Sequence, residues 1–565
     1  MKILFVLRAS GFLRNFEGVI REMLTRGHEV TVAVELAAKR DDSYSRLIRE
    51  LTAEGMKFER APRSREPQHR VAVQLRLGLD YLRYSDPRYG EKSKLRDRAA
   101  SAAPALIRAV ADAPLVRAPR GRVALRRTLA ALDASAPVSA AVQRFLDDRR
   151  PDVLLVTPLV ELGAPQTDWL RAARERGIPT ALGVASWDNL TVKGGLREWP
   201  DLILVWNEAQ IREACEIHGV PADRVLATGA HTYDHWFDWR PSRERSAFCS
   251  ETGLRADRPF LLYLCSSPFI APGEVEFVRE WMAGLRSSSH SELREAGVLV
   301  RPHPQHAAQW KGESLADLGN AVVWPQGGAD PVERTSRSDF YDSMAHCAAV
   351  VGVNTSAQIE SAIAGREVFT LLDERFDATQ GGTLHFEHLA QTDGGLLQVA
   401  GDAATHHAQL SACLRGDAVG QQRRERFLSD FVRPQGIEIP AAPAFVTEVE
   451  RLERRDAPPA PVSPATLRRL RSLWSALPWS LVGLALAIVD PKTRRRTRKR
   501  IDLARSLLGS IRVRVRPPRT VAELAAAPSP FPRASLSGRL RASARACRRT
   551  GTPEPARPGH GARTS

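Results

Sequence analysis

The sequence has few cysteines for its length, and it lacks several short motifs that mark common sites. Six cysteines occur in 565 residues, and no two of them form a CxxC pair. Neither a disulfide framework nor a paired-cysteine zinc site is therefore expected. No GxGxxG follows a strand-like run, and neither GxxxxGK[ST] nor HExxH occurs. These absences predict no bound metal or cofactor, and thiols kept reduced in a cytoplasmic protein.

Positive and negative charges balance over most of the chain, and the excess of positive charge is concentrated at its end. The formal net charge is +17, of which residues 490–565 contribute +16 and residues 456–489 contribute +2. Residues 1–455 therefore carry a net charge of −1. Because the basic balance belongs to the tail, it does not make the body of the protein a nucleic-acid binder.

Short apolar runs alternate with stretches of helical periodicity along residues 1–455, which predicts an α/β fold with parallel sheets. The strand-like runs of the first half are Ile3–Leu7, Val30–Val34, Val153–Val156, Thr180–Val184, Leu202–Val205 and Val225–Ala227. Those of the second half are Phe260–Leu264, Val298–Val300, Ala321–Trp324, Ala349–Val353 and Val368–Leu372. Two doubly wound domains follow from this pattern.

The domain boundaries follow from changes in composition. We predict a first domain over 1–236, a linker over 237–258 and a second domain over 259–455. Residues 66–150 are rich in Ala, Arg and Leu at helical spacing, which indicates a helical insert in the first domain. Residues 456–565 hold a Pro/Ala linker, a short apolar segment and a basic, low-complexity tail.

The apolar segment Leu473–Val489 is uncharged over 17 residues but contains Pro478, and Lys492–Arg500 holds seven basic residues in nine. Seventeen residues are at the short limit for a membrane span. We therefore expect an interfacial attachment to an anionic membrane surface. The alternative is a core helix followed by a solvated basic run. The chain opens on a strand without a secretory signal, so the expected location is the cytoplasmic face of the membrane.

The polar elbow after Ala349–Val353 is the strongest candidate for a binding site. Asn354, Thr355 and Ser356 follow the strand directly, and a helix pattern then runs to Gly365. Amide groups and hydroxyls at a helix start can hold a phosphate. Glu360 lies one turn inside the helix, where it can accept from a sugar hydroxyl. Thr355 and Gln358 also form a capping box, which explains part of this pattern without a ligand.

Other polar residues end neighbouring strands, and the carboxyl ends of parallel strands share one edge. Arg301 and His303 in RPHP follow Val298–Val300, and as a cation pair they suit a diphosphate. Ser266 follows Phe260–Leu264 and can reach the same group, although a plain turn explains it equally well. In the first domain, Arg14 and Asn15 follow Ile3–Leu7 and can contact an anion or an acceptor, or else cap the next helix.

This combination resembles the GT-B glycosyltransferases. The opening strand, loop and helix followed by GHEV, and the later HP and strand–elbow–helix–Glu elements, carry the similarity over residues 1–455. No DxD occurs, the metal–diphosphate clamp of the other main glycosyltransferase fold. The resemblance implies two Rossmann-like domains around a cleft and a metal-independent transfer. Gln380, in Thr379-Gln380-Gly381-Gly382-Thr383, would lie on a loop that meets the donor.

Residues 186–195, SWDNLTVKGG, resemble the WHGTPLK motif of the CDP-glycerol glycerophosphotransferases, with Trp187 and Lys193 at the same separation. The family's histidine, thought to act as the base, is Asp188 here, and an aspartate can also be a general base. Asn189 follows Asp188 in this segment. In the family's DYSS elbow the final hydroxyl is kept as Ser356 but the acid is not. The HP element and the elbow also resemble UDP-N-acetylglucosamine 2-epimerases.

The function that these features imply is transfer of a glycosyl or polyol-phosphate group in cell-envelope or surface polysaccharide biosynthesis. Asp188 and Lys193 are the catalytic candidates. A nucleotide-activated donor would bind at the second domain, and a lipid-linked or glycan acceptor at Arg14, Asn15, Trp187 and Asn189. Two alternatives remain: a sugar-nucleotide epimerase, and a scaffold without catalytic activity.

Overall fold

The computed structural model describes residues 1–36, 43–64, 66–86, 89–90, 93–391, 394–417, 420–455 and 462–476. They lie in one compact unit, Met1–Arg494. Most of the predicted apolar segment at 473–489, and the basic run and tail after it, fall outside the described residues. None of the helices within the described ranges is long and apolar enough to cross a membrane.

The first half of the chain forms a seven-stranded parallel sheet in the order β3-β2-β1-β4-β5-β6-β7. Its strands are β1 (Lys2–Ala9), β2 (Glu29–Leu36), β3 (Lys57–Arg60), β4 (Val153–Thr157), β5 (Thr180–Gly183), β6 (Leu202–Val205) and β7 (Val225–Ala227). The order reverses beside β1, where Phe5 pairs with Val32 on one side and Leu155 on the other. Loops that leave the carboxyl ends of β1 and β4 therefore diverge and open a crevice.

The second half repeats this plan with six parallel strands in the order β10-β9-β8-β11-β12-β13. The strands are β8 (Phe260–Leu264), β9 (Gly297–Arg301), β10 (Ala321–Val323), β11 (Ala349–Val351), β12 (Val368–Leu371) and β13 (Gln398–Ala400). Two doubly wound parallel sheets in one chain are the GT-B arrangement. The predicted fold class is confirmed.

Helices cover the faces of both sheets. Those of the first half are α1 (Glu17–Thr25), α2 (Ser43–Ala53), α3 (Pro67–Arg83), α4 (Ser93–Ala102), α5 (Ala105–Asp112), α6 (Pro114–Arg117), α7 (Pro119–Ala134), α8 (Ala140–Arg149), α9 (Thr167–Glu175), α10 (Asn189–Val192), α11 (Glu208–His218) and α12 (Asp234–Asp238). Those of the second half are α13 (Arg245–Thr252), α14 (Glu274–Arg286), α15 (Ser291–Glu295), α16 (Arg334–His346), α17 (Ala357–Ile363), α18 (Leu384–Ala390), α19 (Ala403–Leu414), α20 (Gln421–Phe427), α21 (Ala441–Glu450) and α22 (Pro464–Ala476).

Short 3₁₀ and π-helical segments join these elements. The 3₁₀ turns are Ser10–Phe16, Ala222–Arg224, His231–Tyr233, Ala307–Trp310, Ala316–Leu318 and Glu374–Phe376, and Leu428–Val432 is a π-helical turn.

Alternation along the strands divides each core into two layers. On β1, Phe5 faces one layer with Phe16, whereas Leu4 and Val6 face the other with Trp169. Both faces are buried, as the continuous apolar runs require. Gly183 on β5 has no room for a side chain, because a Cβ there would lie 2.7 Å from the Phe16 ring.

Helix α21 returns to the first sheet after the second is complete. Phe445, Val446 and Val449 join the same core layer as Phe5 and Phe16. The His231 ring packs between them, 4.6 Å from Phe16 and 5.2 Å from Phe445. Burial lowers the pKa of His231 to about 3, so this ring is neutral at pH 7 and serves to pack the core.

A buried charge network joins the helices between β3 and β4 to the first sheet. Arg76 of α3 is fully buried and contacts Asp133 of α7 at 2.7 Å and Asp168 of α9 at 3.4 Å. Burial alone would raise the pKa of Asp168, but the hydrogen bond from His69 and the charge of Arg76 hold it well below its usual range. Arg171 also pairs with Asp133, at 3.2 Å. The network fixes α3 and α7 against α9.

Candidate functional site

A cavity of about 530 Å³ lies where the carboxyl ends of the two sheets meet. Its walls come from the loops after β1, β4, β5, β6 and β7 of the first sheet and after β8, β9, β10 and β11 of the second. Ten of the fourteen predicted site residues line it: Arg14, Asn15, Asp188, Asn189, Lys193, Arg301, His303, Thr355, Ser356 and Glu360. The structure therefore brings the predicted elbow, the RPHP segment and the 186–195 segment to one place.

Asp188 and Lys193 form an ion pair on the first-sheet side of the cavity. Lys193 Nζ lies 3.2 Å from Asp188 Oδ2, and Asn189 Nδ2 donates to Asp188 Oδ1 at 3.0 Å. Burial alone would raise the pKa of Asp188, but the Lys193 ammonium and the nearby His385 hold it well below its usual range. The carboxylate is thus ionised and able to accept a proton, although the low pKa makes it a weak base while Lys193 stays in contact.

The loop that carries Lys193 is held by α3, which sequence reasoning did not connect with the site. Arg83 Nη1 donates to the Lys193 carbonyl at 3.2 Å, and the Tyr84 hydroxyl donates to the same oxygen. Asp80, fully buried, accepts from the amides of Gly163 at 2.7 Å and Gly195 at 2.9 Å. Helix α3 therefore positions the 188–195 loop.

Arg14 and Asn15 lie in the 3₁₀ turn after β1 and already have protein partners. Asn15 Nδ2 donates to the Ala185 carbonyl at 2.9 Å. Arg14 pairs with Asp330 of the second half, which also accepts from the Tyr44 hydroxyl at 2.8 Å. Asp330 follows β10 in a GGADP turn and was not predicted, because nothing in that turn distinguishes it from an ordinary loop. These contacts close one side of the cavity.

Arg301 and His303 do not form the cation pair expected from the sequence. Arg301 donates to Ser343 Oγ at 2.7 Å and lies over the Trp324 and Phe340 rings. Burial lowers its pKa to about 10, so it remains a cation. Burial lowers the pKa of His303 to about 4, so the ring is neutral at pH 7. Its Nδ1 accepts from the Gln305 amide, which leaves the proton on Nε2.

The elbow offers fewer amide groups than the sequence indicated. The Asn354 amide donates to Ser266 Oγ at 3.4 Å, the Thr355 amide to Gln358 Oε1 at 3.1 Å, and the Ala357 amide to Thr355 Oγ1 at 3.4 Å. Of the two hydrogen bonds of the predicted capping box, the one from the Thr355 amide to the Gln358 side chain is present. Helix α17 has only seven residues. The contribution of the elbow to the cavity thus comes mainly from the Thr355 and Ser356 side chains.

Glu360 lies at the cavity wall beneath the elbow, where Trp236 Nε1 donates to its Oε1 at 3.3 Å. Burial raises its pKa to about 7, against the opposing effect of the Arg14 charge. Glu360 is therefore half ionised near neutral pH, unlike Asp188. Its proton exchange therefore falls near neutral pH.

Four predicted residues do not line the cavity. Ser266 is fully buried, and its amide donates to both carboxyl oxygens of Glu274 at 2.9 Å. Gln380 is also buried, and it bonds to the Asp373 amide at 3.2 Å and the Leu371 carbonyl at 3.0 Å. Ser266 Oγ accepts from the Asn354 amide, and the Gln380 side chain holds its own loop, so their assignment to phosphate contact is corrected.

Asn354 and Trp187 both contact His385 behind the cavity. Asn354 Nδ2 donates to the Thr379 carbonyl at 2.8 Å and lies 3.3 Å from His385 Nε2. The Trp187 ring packs edge-on against His385, with centroids 4.9 Å apart. Because Trp187 comes from the first half and His385 from α18, this contact joins the two halves. Neither Asn354 nor Trp187 is placed to touch a ligand.

Among the described residues, no group of three or more His, Cys, Asp and Glu side chains is arranged to hold a metal ion. The five cysteines in this part of the chain are unpaired thiols.

No family model matches the sequence, and no curated protein matches it. Similar solved structures include the UDP-GlcNAc 2-epimerase of Neisseria meningitidis bound to UDP-GlcNAc, at 12% identity and TM-score 0.44, covering 80% of this chain and 100% of that one. A glycosyltransferase of Rickettsia africae ESF-5 has 8% identity and TM-score 0.45, covering 80% and 98%. WaaG, a glycosyltransferase involved in lipopolysaccharide biosynthesis, has 12% identity and TM-score 0.41, covering 79% and 99%.

At these identities and TM-scores the assignment of this chain rests on its own topology and site. The two doubly wound sheets define an α/β protein with the GT-B arrangement. The polar cavity at their facing carboxyl ends is its candidate active site.

Proposed function

We propose that this chain is a metal-independent transferase that moves a glycosyl or polyol-phosphate group from a nucleotide-activated donor to an acceptor hydroxyl. The observation that carries the proposal is the composition of the cavity between the two sheets. An ionised carboxylate beside a lysine lies on its first-sheet side, and an arginine, a neutral histidine, two hydroxyls and a titrating glutamate lie on its second-sheet side. Cell-envelope or surface polysaccharide biosynthesis is the proposed setting.

The donor binds on the second-sheet side in this proposal. Ser356, Thr355 and the Nε2–H of His303 donate to the diphosphate oxygens of the donor. The charge of Arg301 stabilises the negative charge that develops on the leaving group, which is a nucleoside diphosphate in glycosyl transfer and a nucleoside monophosphate in polyol-phosphate transfer. Glu360 accepts from the ribose hydroxyls. Because the charge comes from protein side chains, the reaction needs no metal.

The acceptor binds on the first-sheet side, where Asp188 takes the proton of its hydroxyl. The Lys193 ammonium must move away from Asp188 as the acceptor hydroxyl approaches. Loss of the ion pair would raise the pKa of Asp188 and strengthen it as a base, because the pair is a main cause of its depression. Lys193 can then follow the negative charge toward the diphosphate. Arg14, Asn15 and Asn189 border the same space.

Glu360→Gln is expected to weaken nucleotide binding about tenfold at pH 8 and to remove its pH dependence. In the wild type, affinity should rise from pH 6 to 8 with a midpoint near 7, because the ionised carboxylate accepts from two hydroxyls and burial raises its pKa to about 7. Isothermal titration at several pH values measures this. An equal slope in both proteins would show that another group titrates, and an unchanged affinity would remove the ribose role.

The C-terminal segment is proposed to hold the enzyme at the inner face of a membrane. Leu473–Val489 would supply apolar contact, and Lys492–Arg500 attraction to anionic lipid. This placement suits a lipid-linked acceptor. Full-length protein that stays soluble at low salt, as does a chain ending at Arg455, would contradict it.

Nucleotide release separates the proposed function from its alternatives. A panel of nucleotide-activated sugars and polyols is incubated with the protein, with and without a lipid-linked or glycan acceptor fraction. Transfer predicts release that depends on the acceptor. Conversion of the donor to its epimer without acceptor would identify an epimerase, and binding without either reaction would identify a scaffold.

A further inference from the structure

Three consecutive helices, α5, α6 and α7, expose apolar side chains at one part of the surface. Twelve large hydrophobic residues are exposed in the described part of the chain, and four of them fall within residues 106–123. They are Leu106, Val110, Leu115 and Val123, with exposed fractions of 57%, 40%, 89% and 48%. A local concentration of this kind marks an interaction surface, whereas single exposed leucines do not.

These side chains are not needed for the core of the helices that carry them. Ile107 and Ala111 of α5, and Leu125 and Leu129 of α7, pack with Leu79 and Leu82 of α3. Leu106 and Val110 are four residues apart and form a separate stripe of α5. On α7, Val123 is two residues from Leu125, which places it on the opposite side of the helix. We call Leu106, Val110, Leu115 and Val123, with the arginines around them, the outer insert face.

The outer insert face is strongly basic. Residues 105–127 contain six arginines and one aspartate, a net charge of +5, in a body whose total is −1. Arg117, Arg120 and Arg127 are exposed. Arg120, Val123 and Arg127 recur at helical spacing on one side of α7. A second copy of the chain would bring two like-charged faces together. A bilayer with anionic headgroups instead offers both the opposite charge and an apolar interior.

Helix α22 packs against α3 and α7, and α7 carries part of the outer insert face. The Trp474 ring is buried with Val71, Ala72 and Ala136, and its Nε1 donates to Ser135 Oγ at 2.9 Å, at the end of α7. Leu473 beside it is 43% exposed. The chain therefore enters the apolar segment 473–489 from the layer that carries the outer insert face.

We propose that the outer insert face is a second membrane-docking surface, which binds an anionic lipid bilayer by inserting Leu106 and Leu115 between headgroups held by the surrounding arginines. The proposal extends the membrane placement given above but rests on described residues only. It is independent of the transfer reaction, because none of these side chains lines the cavity.

The test is co-sedimentation of the full-length protein with vesicles of phosphatidylcholine containing about one third phosphatidylglycerol. Leu106→Ser combined with Leu115→Ser is expected to lower the partition coefficient at least tenfold, since two large apolar side chains no longer enter the bilayer. Arg117→Glu combined with Arg127→Glu should lower it similarly at low salt. Leu226→Ser combined with Leu372→Ser, two residues of 37% and 38% exposure elsewhere, should leave it unchanged.

Melting temperatures of all variants should match the wild type, because the altered side chains are exposed. Equal vesicle binding by wild type and both outer-face variants would overturn the proposal and leave attachment to the C-terminal segment. Loss of self-association in the leucine variant, without change in vesicle binding, would also overturn it and identify a second copy as the occupant. Nucleotide binding, measured on the same samples, separates this result from any failure of the proposed function.

Discussion

Asp188→Asn is expected to lower the rate of transfer by about 10² to 10⁴ while leaving donor affinity within a factor of two to three. Asparagine keeps the size of the side chain and the contact with Asn189 but cannot accept the proton of the acceptor hydroxyl. The donor contacts lie on the other side of the cavity, at residues 301–303 and 355–360. Acceptor-dependent nucleotide release gives the rate, and isothermal titration gives the affinity.

Lys193→Met is the matched comparison for Asp188. It removes the ammonium that depresses the pKa of Asp188, so the base becomes stronger but the charge near the diphosphate is lost. Its residual activity should decline toward acid pH at a higher pH than that of the wild type, because the pKa of Asp188 is higher without the ammonium. Turnover by Asp188→Asn equal to the wild type would remove Asp188 as the base and would favour the epimerase or scaffold alternatives.

Arg76→Ala is expected to destabilise the protein by about 3–5 kcal/mol, the usual effect of removing one partner from a buried ion pair. Asp133 and Asp168 would remain buried without the charge that offsets their desolvation. Urea unfolding at pH 7 measures the difference. Arg70→Ala on the same helix, where the side chain is exposed, should change stability by less than about 0.5 kcal/mol.

The deficit in the free energy of unfolding of Arg76→Ala should depend on pH if its origin is electrostatic. Native contacts lower the pKa values of Asp133 and Asp168. The ionised carboxylates therefore stabilise the folded state above the ordinary carboxyl pKa, and this stabilisation is lost as pH falls through their pKa values in the native state. In Arg76→Ala both groups lack that support and protonate at higher pH. The deficit should therefore shrink as pH falls toward 4. A deficit that does not change with pH would indicate lost packing instead.

The fold was predictable because the sequence repeats one local signal. Apolar runs such as 3–7 and 260–264 are too short for helices and end at polar residues, which is typical of buried parallel strands. The position of helix α21 in the fold was not predictable. Its apolar pattern indicates burial, but only the folded chain shows that Phe445 packs against the first sheet. Helix α13, in the predicted linker, has too weak a periodicity to be found.

The candidate site was predictable where residues end strands. Arg301, Ser356 and Asp188 reach one cavity because parallel strands share a carboxyl edge. Charge states were not predictable, since the burial that lowers the pKa of His303 to about 4 exists only in the folded protein. Ser266 and Gln380 have suitable side chains at suitable places, yet Ser266 Oγ accepts from the Asn354 amide and Gln380 donates to the Leu371 carbonyl. Spacing gives the position of a side chain and not its hydrogen-bond partner.

The central claim is that the cavity binds a nucleoside diphosphate and its activated sugar or polyol. A thermal-shift screen of these compounds tests it directly, because a ligand at 100 times its dissociation constant adds about 2.7 kcal/mol of stability. The account predicts that at least one compound stabilises the wild type, and that the same compound at the same concentration stabilises His303→Ala and Ser356→Ala less. No stabilisation by any compound, or equal stabilisation of all three proteins, would contradict it.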